Sequence, residues 1–86
     1  LSYTVELTTA AARQLRKIEP TTRRRLLLAL RGLETDPRPH GCRKLAGYDD
    51  AWRVRVGDFR ILYEVHDTVL TVTVFRLGNR RDIYDA

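Results

Sequence analysis

Three arginines crowd the stretch WRVRVGDFR, at Arg53, Arg55 and Arg60, and the chemistry open to them is that of fixed positive charge. A guanidinium stays protonated in a protein and offers a planar fork of N–H donors, so a group of them binds phosphate or carboxylate oxygens, often bidentately. Between them Gly57 and Asp58 read as a two-residue hairpin turn, with glycine at the first central position as a type II′ turn requires. That register sets Val56 opposite Phe59 and Arg55 directly opposite Arg60. Like charges facing each other across a ladder are destabilising by roughly 0.2–1 kcal/mol. A phosphate placed between them turns the repulsion into attraction. The plainer reading is a solvated sheet face with chance arginines, part-neutralised by Glu64.

Other chemistries find less support. His40 and His66 are far apart in sequence and Cys42 is alone, and the acids do not cluster as a two-metal nuclease site would. No metal site and no cofactor are therefore expected. No glycine-rich loop precedes a helix, so nucleotide-cofactor binding has no support. Both histidines read as ordinary loop residues.

The elements that must hold the arginines follow from periodicity. SYTVEL at residues 2–7 alternates Tyr3, Val5 and Leu7 with polar neighbours, as a strand with one buried face does. Thr8 or Thr9 caps a first helix, in which Ala11, Leu15 and Ile18 recur at helical spacing. Pro20 opens a second helix with Leu26, Ala29, Leu30 and Leu33 on one face and Arg24, Leu28 and Arg31 pointing away. It must end before Asp36 and Pro37. A long polar connection, residues 37–50, leads to the two strands of the hairpin. Their apolar face is Trp52, Val54, Val56, Phe59, Ile61, Tyr63 and Val65; the opposite face is Arg53, Arg55, Arg60, Leu62 and Glu64. A turn near Asp67 and Thr68 feeds a last strand from Val69 to Leu77, which Gly78 is expected to end. The chain is thus an α+β domain in the order strand, helix, helix, strand, strand, strand, with a helical hairpin on one face of a mostly antiparallel four-stranded sheet.

Length and charge bound the function. A chain of 86 residues is one domain with a small core. The longest apolar run, Leu26 to Leu30, is too short to span a bilayer. No basic-then-apolar signal opens the sequence and one cysteine makes no internal disulfide, so a reducing cytoplasm is the expected location. The net charge of +5, carried mostly by arginine, points to a polyanionic or acidic partner, most often nucleic acid.

The GDFRILYEV hairpin, the preceding WRVRV strand, the KLAG turn at Lys44 to Gly47 and the ending LGNRRDIY together resemble the RelE family of bacterial toxin–antitoxin toxins, within the RelE/ParE superfamily. The resemblance covers nearly the whole chain, residues 1–86, as a single RelE-like domain. It implies a ribosome-dependent mRNA endonuclease, metal-independent and silenced by a RelB-like antitoxin, with ribosome and mRNA as further partners. It implies site residues too. Arg53 and Arg55 stand where well-known members carry two lysines, Arg60 matches the hairpin arginine, Arg80 the arginine after the last strand, and Tyr84 the tyrosine near the C-terminus. Arg43, Lys44, Arg76 and Arg81 are expected to contact RNA. Implied chemistry is attack of a ribose 2′-hydroxyl on the adjacent phosphate, with Tyr84 as base. Arg55 departs from the pattern, because arginine stabilises a leaving oxygen without giving up a proton. Asn79 also departs, standing where many relatives have histidine. Tyr84 read without the resemblance is a tail aromatic packed on the sheet edge. An alternative of another class is a ParE-like toxin of the same fold that inhibits DNA gyrase without nuclease chemistry. A non-catalytic RNA-binding module is a third.

Overall fold

The computed structural model describes residues 2–83. The elements run β1 (Thr4–Leu7), α1 (Thr9–Arg16), α2 (Pro20–Thr35), β2 (Arg43–Lys44), β3 (Ala51–Val56), β4 (Phe59–His66), a short 3₁₀ turn (Asp67–Val69) and β5 (Thr71–Asn79). Thr8 caps α1 by accepting the Ala11 N–H on its Oγ1 at 3.1 Å. Glu19 caps α2, taking the N–H groups of Thr21 and Thr22 on its carboxylate just before Pro20. Those two bonds satisfy donors that the first helical turn leaves orphaned, and they hold the Glu19 carboxyl below its ordinary range.

The strands form one sheet in the order β1-β5-β4-β3-β2. β1 runs parallel to β5 and every other pair is antiparallel. The sheet therefore has five strands where four are expected from periodicity. The fifth is β2, two residues inside the long polar connection, pairing Arg43 with Arg53 and Lys44 with Trp52. So short a strand has no periodicity to read. The last strand also differs from its expected bounds. Val69 belongs to the 3₁₀ turn and Leu70 takes the left-handed conformation at φ 48°, so pairing starts at Thr71. It continues through Gly78, because Arg60 and Phe59 supply partners for Gly78 and Asn79.

The helical hairpin covers one face. Leu26, Leu30 and Leu33 of α2 and Ala11 of α1 are buried against Ile61, Tyr63, Val65, Val72, Val74 and Leu77. Tyr63 is fully buried and donates its hydroxyl to the Pro37 carbonyl at 2.7 Å; burial raises its phenol well above the ordinary tyrosine range. That bond anchors the connection leaving α2. A second anchor is ionic. Arg38 reaches Asp50 at 2.7 Å and Asp67 at 2.8 Å while its guanidinium lies 5.5 Å from the Trp52 ring centroid. Tyr3 donates its hydroxyl to Asp67 at 2.6 Å, and the Trp52 indole N–H donates to Asp50. One arginine thus ties β1, the connection, β3 and the turn before β5 together.

Candidate functional site

The hairpin turn forms as its glycine dictates. Gly57 takes φ 60° while Asp58 does not enter positive φ, the type II′ pattern. In that register Arg55 faces Arg60 and Val56 faces Phe59. Two rows of residues then cross the outer face of the sheet, the face away from the helices. One runs Arg43, Arg53, Leu62, Arg76 and the next runs Arg55, Arg60, Gly78. Five of the site arginines expected from sequence lie in those rows, spread over four strands.

Arg80 joins them from the turn after β5. Its backbone N–H donates to the Asp58 carbonyl at 2.7 Å, which ties the exit of β5 to the hairpin turn, and its side chain is exposed. The turn itself is stitched by Asn79, whose Oδ1 accepts the Arg81 N–H at 3.0 Å and whose carbonyl accepts from Asp82 and Ile83. Arg81 is exposed beside Arg80. Lys44 lies one residue from Arg43 on β2 and so has the opposite strand parity, that of the helix-covered face. Tyr84 lies outside the described residues.

Burial divides the arginines in a way that the pattern of alternation does not. Arg55 is exposed and Arg53 half-buried, but Arg60 is only 7% exposed. Its Nη1 donates to the carbonyls of Gly57 at 3.1 Å and Phe59 at 3.0 Å. The Arg55–Arg60 repulsion is thereby eased, since one partner is held by backbone dipoles of its own turn. The outer face is also less open than its residues suggest. Leu62 is buried, sharing a cavity with Leu45 and Tyr48 from the connection, Phe75 of β5 and Ile83 from the segment after β5.

One residue at the turn escapes a reading from motif spacing. Arg25 of α2 reaches the hairpin from the helical side, its Nη2 3.0 Å from where a side-chain carbon on Gly57 would stand. Any other residue at Gly57 would meet both an unfavourable φ and this guanidinium. The signal was the position of Arg25 next to Leu26 on the edge of the buried stripe. With Arg55 and Arg80 it adds exposed positive charge around one turn. Among the described residues no group of three His, Cys, Asp or Glu is placed to hold a metal ion. The arrangement can bind an anion, orient it and stabilise added negative charge.

Comparison with known proteins narrows the field. Residues 5–84 match the family described as ParE toxin of type II toxin–antitoxin systems, parDE. The chain is 35% identical over 88 residues to Toxin RelG of Mycobacterium tuberculosis, with 98% of each chain covered. Among solved structures it is similar to the archaeal RelE–RelB complex of Pyrococcus horikoshii, with a TM-score of 0.82 and 27% identity, covering 93% of this chain and 97% of that one. It is likewise similar to the intact RelBE toxin–antitoxin complex of E. coli, with a TM-score of 0.81 and 26% identity over 91% of this chain and 96% of that one. A match along almost the full length, in sequence and in fold, means that the chain belongs to the RelE/ParE superfamily of toxins from type II toxin–antitoxin systems.

Proposed function

We propose that this toxin is a metal-independent endoribonuclease that cuts messenger RNA on the ribosome and is silenced by a RelB-like antitoxin. The observation that carries the reading is the convergence of Arg55, Arg60 and Arg80 on one hairpin turn, with Arg80 drawn in by the 2.7 Å bond from its N–H to Asp58. Phosphoryl transfer needs little covalent help from a protein. It needs the phosphate held and its growing charge neutralised, which fixed guanidiniums do. Tyr84 takes the proton of the attacking 2′-hydroxyl, whose oxygen bonds to phosphorus as the bond to the 5′-oxygen breaks. The products are a 2′,3′-cyclic phosphate and a 5′-hydroxyl. Arg55 stabilises the departing oxygen and water protonates it, because arginine does not release its proton. Such chemistry places the working protein in the cytoplasm with ribosome and message.

The antitoxin is argued from the charge and from α2. A toxin of net charge +5 attracts an acidic partner, and the similar proteins above were solved as RelB complexes. Leu27 and Leu28 stand 48% and 64% exposed on α2, flanked by Arg24 and Arg31 in a groove that reaches Val5 and Leu7. An amphipathic helix with acidic flanks fits there.

A second reading draws on two facts: the matched family bears the ParE name, and Arg60 is engaged by its own turn. In that reading the toxin inhibits DNA gyrase by binding and cuts nothing. Brief induction followed by mapping of message 5′ ends separates the two. New 5′ ends within coding regions are expected; intact message together with gyrase-linked DNA breaks would sink the nuclease reading.

A further inference from the structure

β3 loses its neighbour on one side halfway along. The Leu45 N–H donates to the Ala51 carbonyl at 2.8 Å, so by strand alternation the backbone groups of Ala51, Arg53 and Arg55 point towards β2. β2 pairs only with Trp52 and Arg53. Gly41, which would stand opposite Arg55 in that register, takes φ 91°, and the Cys42 N–H turns back to the Pro39 carbonyl at 3.0 Å. The chain therefore joins the sheet too late to cover Arg55. What opens there is a cleft of about 580 Å³ between β3 and α2, closed at one end by Cys42 and Arg43. That is within the ~300–1,000 Å³ of ordinary ligand clefts. Gly32 of α2 lines it, and nothing stands within 4 Å of where its Cβ would be.

Charge and lining select an occupant. Arg43 and Arg55 are exposed at the rim, no carboxylate of the described residues pairs with either, and none lines the cleft. Cys42 stays neutral there, because burial pushes its thiol up. The interior is of both kinds, apolar at Ala29, Leu33 and Val54 and polar at His40 and Cys42. A nucleotide has the same make-up: a base with apolar faces and polar edges, carried on a charged phosphate. An acidic peptide would also meet the charge, so continuity decides. Arg55 lines the cleft and stands in the Arg55–Arg60 row as well. Arg25, one turn before Ala29 on the same face of α2, leans on the hairpin turn. An anionic chain that crosses the turn thus enters the cleft without leaving positive charge.

We propose that the cleft between α2 and the open edge of β3 seats one unpaired nucleotide of the message, its base against Ala29, Leu33 and Val54 and its far phosphate at Arg43; this rests on the nuclease reading above. Because Arg55 attends the departing 5′-oxygen in that reading, the seated nucleotide is the one on the 3′ side of the cut. Gly32 is then a specificity-determining position, since any side chain there takes up room in the seat.

The test uses the full chain on ribosomes. Mapping of message 5′ ends supplies the cut position, and a message with 2′-deoxyribose on the 5′ side of it has no hydroxyl to attack and stays whole. Cys42, the sole cysteine of the chain, then reports occupancy through its rate of alkylation on ribosomes with and without that message. Message at about ten times its dissociation constant should slow alkylation roughly tenfold, by mass action. Gly32→Leu fills the cleft from a helical position with open space, so its melting temperature should hold or rise. Its KM for cutting should rise roughly tenfold, and the difference in alkylation should vanish. Equal alkylation with and without message, or a parental KM in Gly32→Leu, would overturn the seat and leave the nuclease reading intact if message is still cut. Protection of Cys42 by the antitoxin but not by message would make the cleft a protein contact, which also overturns it. A parent chain that cuts no message removes the nuclease reading, and the seat with it.

Discussion

Arginine is used in opposite ways at the two ends of the sheet. At one end Arg38 sits between two carboxylates, Asp50 and Asp67, and over the Trp52 ring. At the other, Arg55 faces Arg60 across the hairpin, Arg80 is held beside them by its backbone, and Arg25 leans on the turn from α2. No carboxylate among the described residues forms an ion pair with Arg55 or Arg80. Compensated charge fastens four segments of chain; the charge of Arg55 and Arg80, which no carboxylate of the described residues pairs, is available to an anion from outside. Position along one sheet thus separates Arg38, tied to two carboxylates, from Arg55 and Arg80, which no carboxylate of the described residues pairs.

The sharpest way to break this contrast is at the proposed reaction itself. Tyr84→Phe removes one hydroxyl and leaves every arginine, so single-turnover cutting of ribosome-bound message should fall by ~10²–10⁴-fold, the usual share of a general base. RNA affinity should not change. Cutting at the parental rate would remove Tyr84 from the mechanism. Arg55→Lys is the complementary variant: it restores a side chain able to donate a proton and should match or exceed the parental rate if leaving-group protonation limits cutting.

Arg60 tests the boundary between the two uses, because it lies at the charged end yet is buried. Arg60→Ala should abolish cutting and also cost about 1–3 kcal/mol of stability, as hydrogen bonds from a charged donor to two buried-side carbonyls are lost. Denaturant unfolding measures this. Unchanged stability would mean that its bonds to Gly57 and Phe59 contribute nothing net.

At the far end Arg38→Ala should cost about 1–2 kcal/mol, discounted because the arginine and both aspartates are partly exposed. Cutting per folded molecule should be unaffected. The same clasp responds to acid. The bond from Arg38, helped by that from Tyr3, holds the Asp67 carboxyl below its ordinary range, so the folded protein binds that proton less readily than the unfolded chain does. Its contribution is present above the ordinary aspartate range and is lost as pH falls from that range through the lowered value. Acid unfolding should therefore be shallower in Arg38→Ala than in the parent. Equal acid sensitivity would show that the clasp is idle.

The smallest effect is expected for Arg55→Ala. Removing one partner of an exposed like-charge pair should leave stability unchanged or raise it by a few tenths up to ~1 kcal/mol, while cutting falls. A clear loss of stability would place Arg55 among the fastening arginines.

How much of this was legible depends on whether the signal was local. The hairpin register was, since Gly57 admits few turns and the alternation on either side admits one pairing; Arg55 opposite Arg60 follows from those alone. Thr8, Pro20 and the Leu26, Leu30, Leu33 stripe were local too. What escaped depends on residues far apart in the chain. The clasp joins Arg38 to a residue 29 positions away and Tyr3 to one 64 away, and no window contains both ends. Arg60 and Leu62 have the alternation of an open face, yet Leu62 is buried where Leu45 and Tyr48 of the connection and Ile83 share its cavity, and Arg60 is buried with its guanidinium folded back on the Gly57 and Phe59 carbonyls. β2 is shorter than any period, and the passage of β5 through Gly78 is decided by partners on β4.

The position of β1 has a consequence in time. It is the first strand made, yet its neighbour in the sheet is β5, the last, and the Tyr3–Asp67 bond beside it spans 64 residues. At ~5–20 residues per second of synthesis, roughly 3–13 s separate the appearance of the two. During that interval the first strand has no ladder to join, and the turn that carries Arg80 does not exist. An incomplete chain therefore has neither the closed sheet nor the turn that sets Arg80 beside the hairpin, and a partner translated alongside has those seconds to be waiting when the sheet closes.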